Sequence, residues 1–158
     1  MNHLPLCHAS LQWYLVFVSF IFCSILLCLS ACTVSEPPKA LRTAKIQTEL
    51  GLFYLEKGDK IRAKTKLLRA AQLAPHASFT HDALAFYWET LGDLARAELE
   101  HQKAIQLNPK GPEYHHYGVF LCRIGSYQSG QQMLKKALQD ENYLRAEETY
   151  KAQAKCGI

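Results

Sequence analysis

Apolar and polar positions divide the chain into three stretches. From Leu11 to Ala31 the residues are almost continuously apolar, including Trp13-Tyr14-Leu15-Val16-Phe17-Val18 and Ile25-Leu26-Leu27. Residues 33–39, Thr-Val-Ser-Glu-Pro-Pro-Lys, have no hydrophobic period, and their two prolines predict an irregular linker. From Ala44 onward small and apolar residues recur at helical spacing, and the pattern itself repeats. Gly58 and Gly92, Ala63 and Ala97, Ala70 and Ala104, and Pro75 and Pro109 all stand 34 residues apart. A period of that length, with Gly and Pro as punctuation, predicts stacked helical hairpins and an all-α fold.

The positions within each period match a known repeat. Starting at Ala44, the residues Leu50, Gly51, Tyr54, Ala63, Leu67, Ala70 and Pro75 occupy positions 7, 8, 11, 20, 24, 27 and 32. This resembles the tetratricopeptide pattern. A second unit from Ser78 places Leu84, Ala85, Trp88, Ala97, His101, Ala104 and Pro109 on the same positions, with His101 where an aromatic is usual. A third, starting one residue early at Gly111, gives Tyr117, Gly118, Leu121, Gly130, Leu134 and Ala137, with Asn142 in place of Pro.

The residue types follow from hairpin geometry. Gly51, Ala85 and Gly118 must be small where two helices cross, and Tyr54, Trp88 and Leu121 fill the gap beside them. Gly58, Gly92 and Gly125 end the first helix of each hairpin in a left-handed turn. Each hairpin leaves an apolar face that its neighbour covers, so about three repeats make a stable stack. The expected architecture is a right-handed tetratricopeptide superhelix. Its expected units are residues 44–77, 78–110 and 111–144, followed by part of a fourth at 145–158.

The apolar N-terminal stretch ends in Leu29-Ser30-Ala31-Cys32, which resembles the lipobox of bacterial lipoproteins. That likeness implies a signal peptide over residues 1–31, cleavage before Cys32, acylation of its thiol, and a lipidated Cys and linker over residues 32–43. Two or more acyl chains hold a protein stably on a bilayer. Thr33, which is not Asp, implies by Gram-negative sorting rules the periplasmic face of the outer membrane. About 20 apolar residues also suffice to span a bilayer, so an uncleaved inner-membrane anchor is the alternative.

Lipobox, short linker and immediate repeats occur together with the run His116-Tyr117-Gly118-Val119-Phe120-Leu121-Cys122-Arg123-Ile124-Gly125-Ser126-Tyr127. In that combination the chain is similar, over about residues 29 to 156, to the type IV pilus biogenesis and stability lipoproteins, the pilotins. Tyr150 followed by Cys156 resembles the start of that family's fourth repeat. The resemblance implies a scaffold that binds the outer-membrane secretin and promotes its localisation or multimerisation. Members continue to about six repeats, so it also implies a product truncated after the third. A general tetratricopeptide adaptor for envelope or cell-wall assembly is the competing reading.

In this repeat class the concave groove is lined from positions 2, 5, 9, 12 and 13 of each first helix. Here these are Lys45, Thr48, Leu52, Leu55 and Glu56; Phe79, Asp82, Phe86, Glu89 and Thr90; and Pro112, His115, Val119, Cys122 and Arg123. Leu52, Phe79 and Phe86 would offer an apolar strip to a peptide, with Asp82, Glu89 and Arg123 fixing its orientation; ordinary repeat surface is the competing reading. Cys122 and Cys156 fall on equivalent positions of successive first helices. A disulfide that clamps the fourth helix and two buried thiols are the two outcomes.

Other chemistry is sparse. His115 and His116 are adjacent and point to different sides of a helix, which disfavours a shared metal ion. Lys60, Arg62, Lys64 and Lys66 read as a solvated helix face, with lipid headgroups as the alternative contact. A net charge of +4 with both signs interspersed excludes nucleic acid as the implied partner. No nucleophile elbow, phosphate-binding glycine loop or His/Glu zinc signature is present, so the sequence reads as a scaffold without enzymatic activity or cofactor.

Overall fold

The computed structural model describes residues 37–157. The expectations for the signal peptide and for Cys32 lie outside the described residues. By internal contacts residues 36–158 form a unit separate from residues 1–35.

Seven helices and no strand occur among the described residues: α1 (Pro38–Glu56), α2 (Lys60–Leu73), α3 (Ser78–Thr90), α4 (Leu94–Leu107), α5 (Gly111–Arg123), α6 (Tyr127–Leu138) and α7 (Ala146–Lys155). Helices α1 and α2, α3 and α4, and α5 and α6 pair as hairpins. Each second helix then packs against the first helix of the next hairpin, and α1, α3 and α5 adjoin one another along one side. This is the tetratricopeptide fold.

One boundary differs from the sequence expectation. Helix α1 begins at Pro38, so residues 38–43 belong to the helix and not to a linker. Proline breaks a helix interior, but at the first helical position its missing N–H would have had no partner and its φ is already helical. Pro37 serves as N-cap, and its carbonyl accepts the Leu41 N–H at 3.1 Å.

Sterics at the crossings explain the small residues. A Cβ added to Gly51 would lie 2.6 Å from the Leu67 side chain, and one added to Gly118 would lie 2.8 Å from Leu134 Cγ. Ala85, the equivalent residue of the second hairpin, is fully buried. Gly58, Gly92 and Gly125 adopt φ of 77°, 79° and 84°, where an L side chain is strained. Asp59 and Asp93 follow one residue after such glycines and cap α2 and α4. Their carboxylates accept the backbone N–H of Arg62 at 2.9 Å and of Arg96 at 3.1 Å. The same two arginines fold back over Tyr54 and Trp88, 4.5 and 3.7 Å from the ring centres.

The core runs through the stack as Leu55, Leu67, Leu84, Trp88, Phe120 and Leu121, with alanines at the tightest points. Burial of each large side chain contributes about 1.5 to 3 kcal/mol. Polar ties join the hairpins: the Glu113 carboxylate accepts from Ser78 Oγ at 2.6 Å and from Asn108 Nδ2 at 2.9 Å.

Candidate functional site: an apolar groove with a polar floor

Stacking α1, α3 and α5 side by side aligns equivalent turns and leaves a concave cavity of about 1030 Å³. Twelve of the fifteen positions chosen by register line it: Thr48, Leu52, Leu55, Glu56, Phe79, Asp82, Phe86, Glu89, Thr90, His115, Val119 and Arg123. Three do not. Lys45 is exposed and lies outside the cavity, because a lysine keeps its ammonium in water where its register mate Phe79 turns inward. Pro112 is exposed at the start of α5, and Cys122 faces a smaller cavity of about 490 Å³ between α5 and α7.

The structure adds five lining residues that register did not select: Glu49, Phe53, Ala83, His101 and His116. Four stand beside a selected position on the same helix. His101 comes from α4, a second helix, and reaches the groove floor from behind.

Three side chains form that floor. The Asp82 carboxylate lies 3.0 Å from His116 Nδ1 and 3.5 Å from His101 Nδ1, the latter an electrostatic contact without hydrogen-bond alignment. Burial pushes the Asp82 carboxyl up, but the two imidazoles outweigh it and hold the group below the usual carboxylate range. His101 is buried, with its ring 5.1 Å from Phe120 and 5.7 Å from Tyr117, filling the place of the usual aromatic. At the far end Arg123 Nε pairs with Glu89 Oε1 at 3.0 Å. Charges selected from register as free to orient a ligand are thus paired across neighbouring helices.

His115 is buried and faces α7, with Nδ1 2.7 Å from the Thr149 hydroxyl. Desolvation, reinforced by the nearby His116 and Arg145, pushes its pKa down to about 4. Cys122 and Cys156 form a disulfide with Cα atoms 5.1 Å apart. Among the described residues no group of three or more His, Cys, Asp or Glu is placed to hold a metal ion. No described helix is long and apolar enough to cross a membrane.

No family model matches the chain. An uncharacterized protein of Haemophilus influenzae is 34% identical over 125 residues, covering 77% of this chain and 69% of that protein. The type IV pilus assembly protein PilF of Pseudomonas aeruginosa is 31% identical over 123 residues, covering 73% of this chain and 49% of PilF. A solved structure from the functional characterization of Pseudomonas aeruginosa pilF superposes with a TM-score of 0.68 at 27% identity, over 73% of this chain and 52% of that one. The chain therefore spans about half the length of PilF. The TPR2B domain of yeast Sti1, solved as a pHsp70 complex, superposes with a TM-score of 0.63 at 20% identity, covering 73% of this chain and 96% of that domain.

Proposed function

Because the chain belongs to the same family as the uncharacterized Haemophilus influenzae protein and shares its repeats with PilF, we propose that it is a pilotin-like scaffold. It is anchored through acylated Cys32 at the periplasmic face of the outer membrane. It acts without catalysis: the groove between α1, α3 and α5 binds the type IV pilus secretin and promotes its localisation or multimerisation. The observation that carries the reading is the groove itself. Leu52, Phe53, Phe79, Phe86 and Val119 leave an apolar strip on the concave side of a fold whose interior is already filled.

Deletion of the gene tests it. Secretin multimers and surface pili should fall together, and Phe86→Asp, at an exposed groove position, should reproduce the deletion while the protein stays folded. Normal secretin assembly in the deletion strain would transfer the scaffold to another envelope or cell-wall complex. Anchoring is read separately: Cys32→Ser should abolish incorporation of labelled fatty acid, and an unlabelled wild type would point to an uncleaved inner-membrane segment.

A further inference from the structure

The groove wall carries four carboxylates, Glu49, Glu56, Asp82 and Glu89, against one guanidinium, that of Arg123. Two of the four are answered within the protein. Asp82 lies between His101 and His116, and Glu89 pairs with Arg123. The two on α1 are not answered: Glu49 and Glu56 are exposed and make no ion pair or hydrogen bond among the described residues. Lys57 stands on the same rim, but its ammonium lies over the Phe53 ring, 5.6 Å from the centre.

The placing of this pair is specific. Glu49, Leu52, Phe53 and Glu56 follow the i, i+3, i+4, i+7 spacing of one helix face, so the two carboxylates bracket two apolar side chains. At 1.5 Å per residue they stand about 10.5 Å apart along α1. A partner strand covers that distance in about three residues, an odd number, which turns its two charges to opposite faces. A partner helix covers it in seven residues and keeps both charges on one face with apolar residues between them. Two turns of helix, about 11 Å long and about 10 Å across, occupy on the order of 800 Å³, comparable to the 1030 Å³ of the groove.

We propose that the groove selects a basic amphipathic helix of its partner protein, with Lys or Arg at i and i+7 facing Glu49 and Glu56 and large apolar side chains at i+3 and i+4 entering beside Phe79 and Phe86. An acidic segment would meet two unpaired carboxylates and is selected against. This rests on the groove reading above and names the chemistry of its ligand.

The test uses the full-length chain and two synthetic alanine-rich peptides of about 16 residues, long enough for measurable helicity. Both carry Leu at i+3 and i+4; one has Lys and the other Glu at i and i+7. By fluorescence anisotropy at low salt the Lys peptide should bind at least about 10-fold more tightly, two exposed attractive pairs replacing two repulsive ones. The preference should shrink as salt rises and reverse in the Glu49→Lys/Glu56→Lys double variant, whose helical circular dichroism should match the wild type. Equal binding of the two peptides, a preference that survives the double variant, or no binding of the Lys peptide to wild type would each overturn the proposal. Phe86→Asp separates the two levels. If it removes binding that shows no charge preference, the groove stands and the ligand chemistry is wrong; if it leaves binding intact, the groove reading fails as well.

Discussion

Helix α3 opens the second hairpin and helix α7 packs against the third, yet they are held by different forces. Helix α3 buries Thr80, His81, Ala83, Leu84, Ala85, Tyr87 and Trp88 between hairpins on both sides. Helix α7 buries Thr149 and no other residue. Around α7, Leu144 is 96% exposed and Tyr150 61% exposed. What holds it is covalent and polar. The disulfide joins Cys156 to α5, Thr149 meets His115, and Gln131 donates to the carbonyls of Gln153 at 2.8 Å and Cys156 at 3.1 Å. A repeat stack is a chain of nearest-neighbour interfaces, and among the described residues α7 meets only the third hairpin.

The largest effect that would sharpen this contrast is expected in the centre. Trp88→Ala removes a nearly buried indole from the core and the surface on which Arg96 stacks. A cost of about 3 to 5 kcal/mol is expected. Because Trp88 contacts the shared core, thermal unfolding followed by circular dichroism should shift as a single transition. A second transition left at the original temperature would show that the hairpins melt separately.

Next in size is the tether. Cys122 and Cys156 are 34 residues apart, and a closed loop of that length accounts for about 3 to 4 kcal/mol of unfolded-state entropy. The Cys122→Ala/Cys156→Ala pair should lose amide protection in α7 while α3 and α4 keep theirs. Uniform loss of protection throughout the stack would mean that α7 supports the core and is not merely fastened to it.

Much of this contrast was legible in the sequence, and the reasons are steric. The 34-residue period survives because close crossings at Gly51 and Gly118 and left-handed turns at Gly58, Gly92 and Gly125 tolerate few substitutes. The same period locates contacts between repeats. Asp82 to His116, His115 to Thr149 and Cys122 to Cys156 are all pairs 34 residues apart, so polar residues at one repeat position predict one another's partners. What the sequence hid depends on side-chain length and on neighbouring elements. Lys45 shares its register with Phe79 but stays in water, and His101 enters the groove from a helix that groove-position rules leave out. The helical turn over residues 38–43 was masked by two prolines whose effect reverses between a helix interior and its first position.

A smaller effect should appear with pH, again confined to α7. The folded protein holds His115 with its pKa lowered to about 4, so the native state prefers the neutral ring. Below about pH 6.5 the unfolded chain binds the proton that the native state refuses. His115 thus contributes stability that is complete above that value and is lost as pH falls toward 4, on the order of 2 kcal/mol after allowance for partial solvent screening. Asp82, whose pKa is lowered, loses its contribution only below the ordinary carboxylate value of 3.8, which separates the two windows. Protection of α7 amides should decline between pH 6.5 and 4 in wild type and stay flat in His115→Gln. A matching decline in α3 would erase the distinction between the two helices.

The finest probe is Thr149→Val, which keeps the volume of the side chain and removes its hydroxyl. The hydroxyl lies 2.7 Å from His115 Nδ1, 3.1 Å from the Tyr143 hydroxyl and 3.4 Å from the Arg145 carbonyl, so the change leaves three polar groups without that partner. A typical intramolecular hydrogen bond contributes about 1 kcal/mol, and an unsatisfied buried nitrogen costs somewhat more. With the disulfide intact, the loss should be visible as faster exchange of α7 amides and barely visible in the global melt. With the cysteines replaced as well, the combined loss should exceed the sum of the two separate losses, because the helix is then released both near its start, at Thr149, and at its C-cap, Cys156. Simple additivity would instead place the tether and the hydrogen bond in independent parts of the interface, and α7 would be a docked element in its own right.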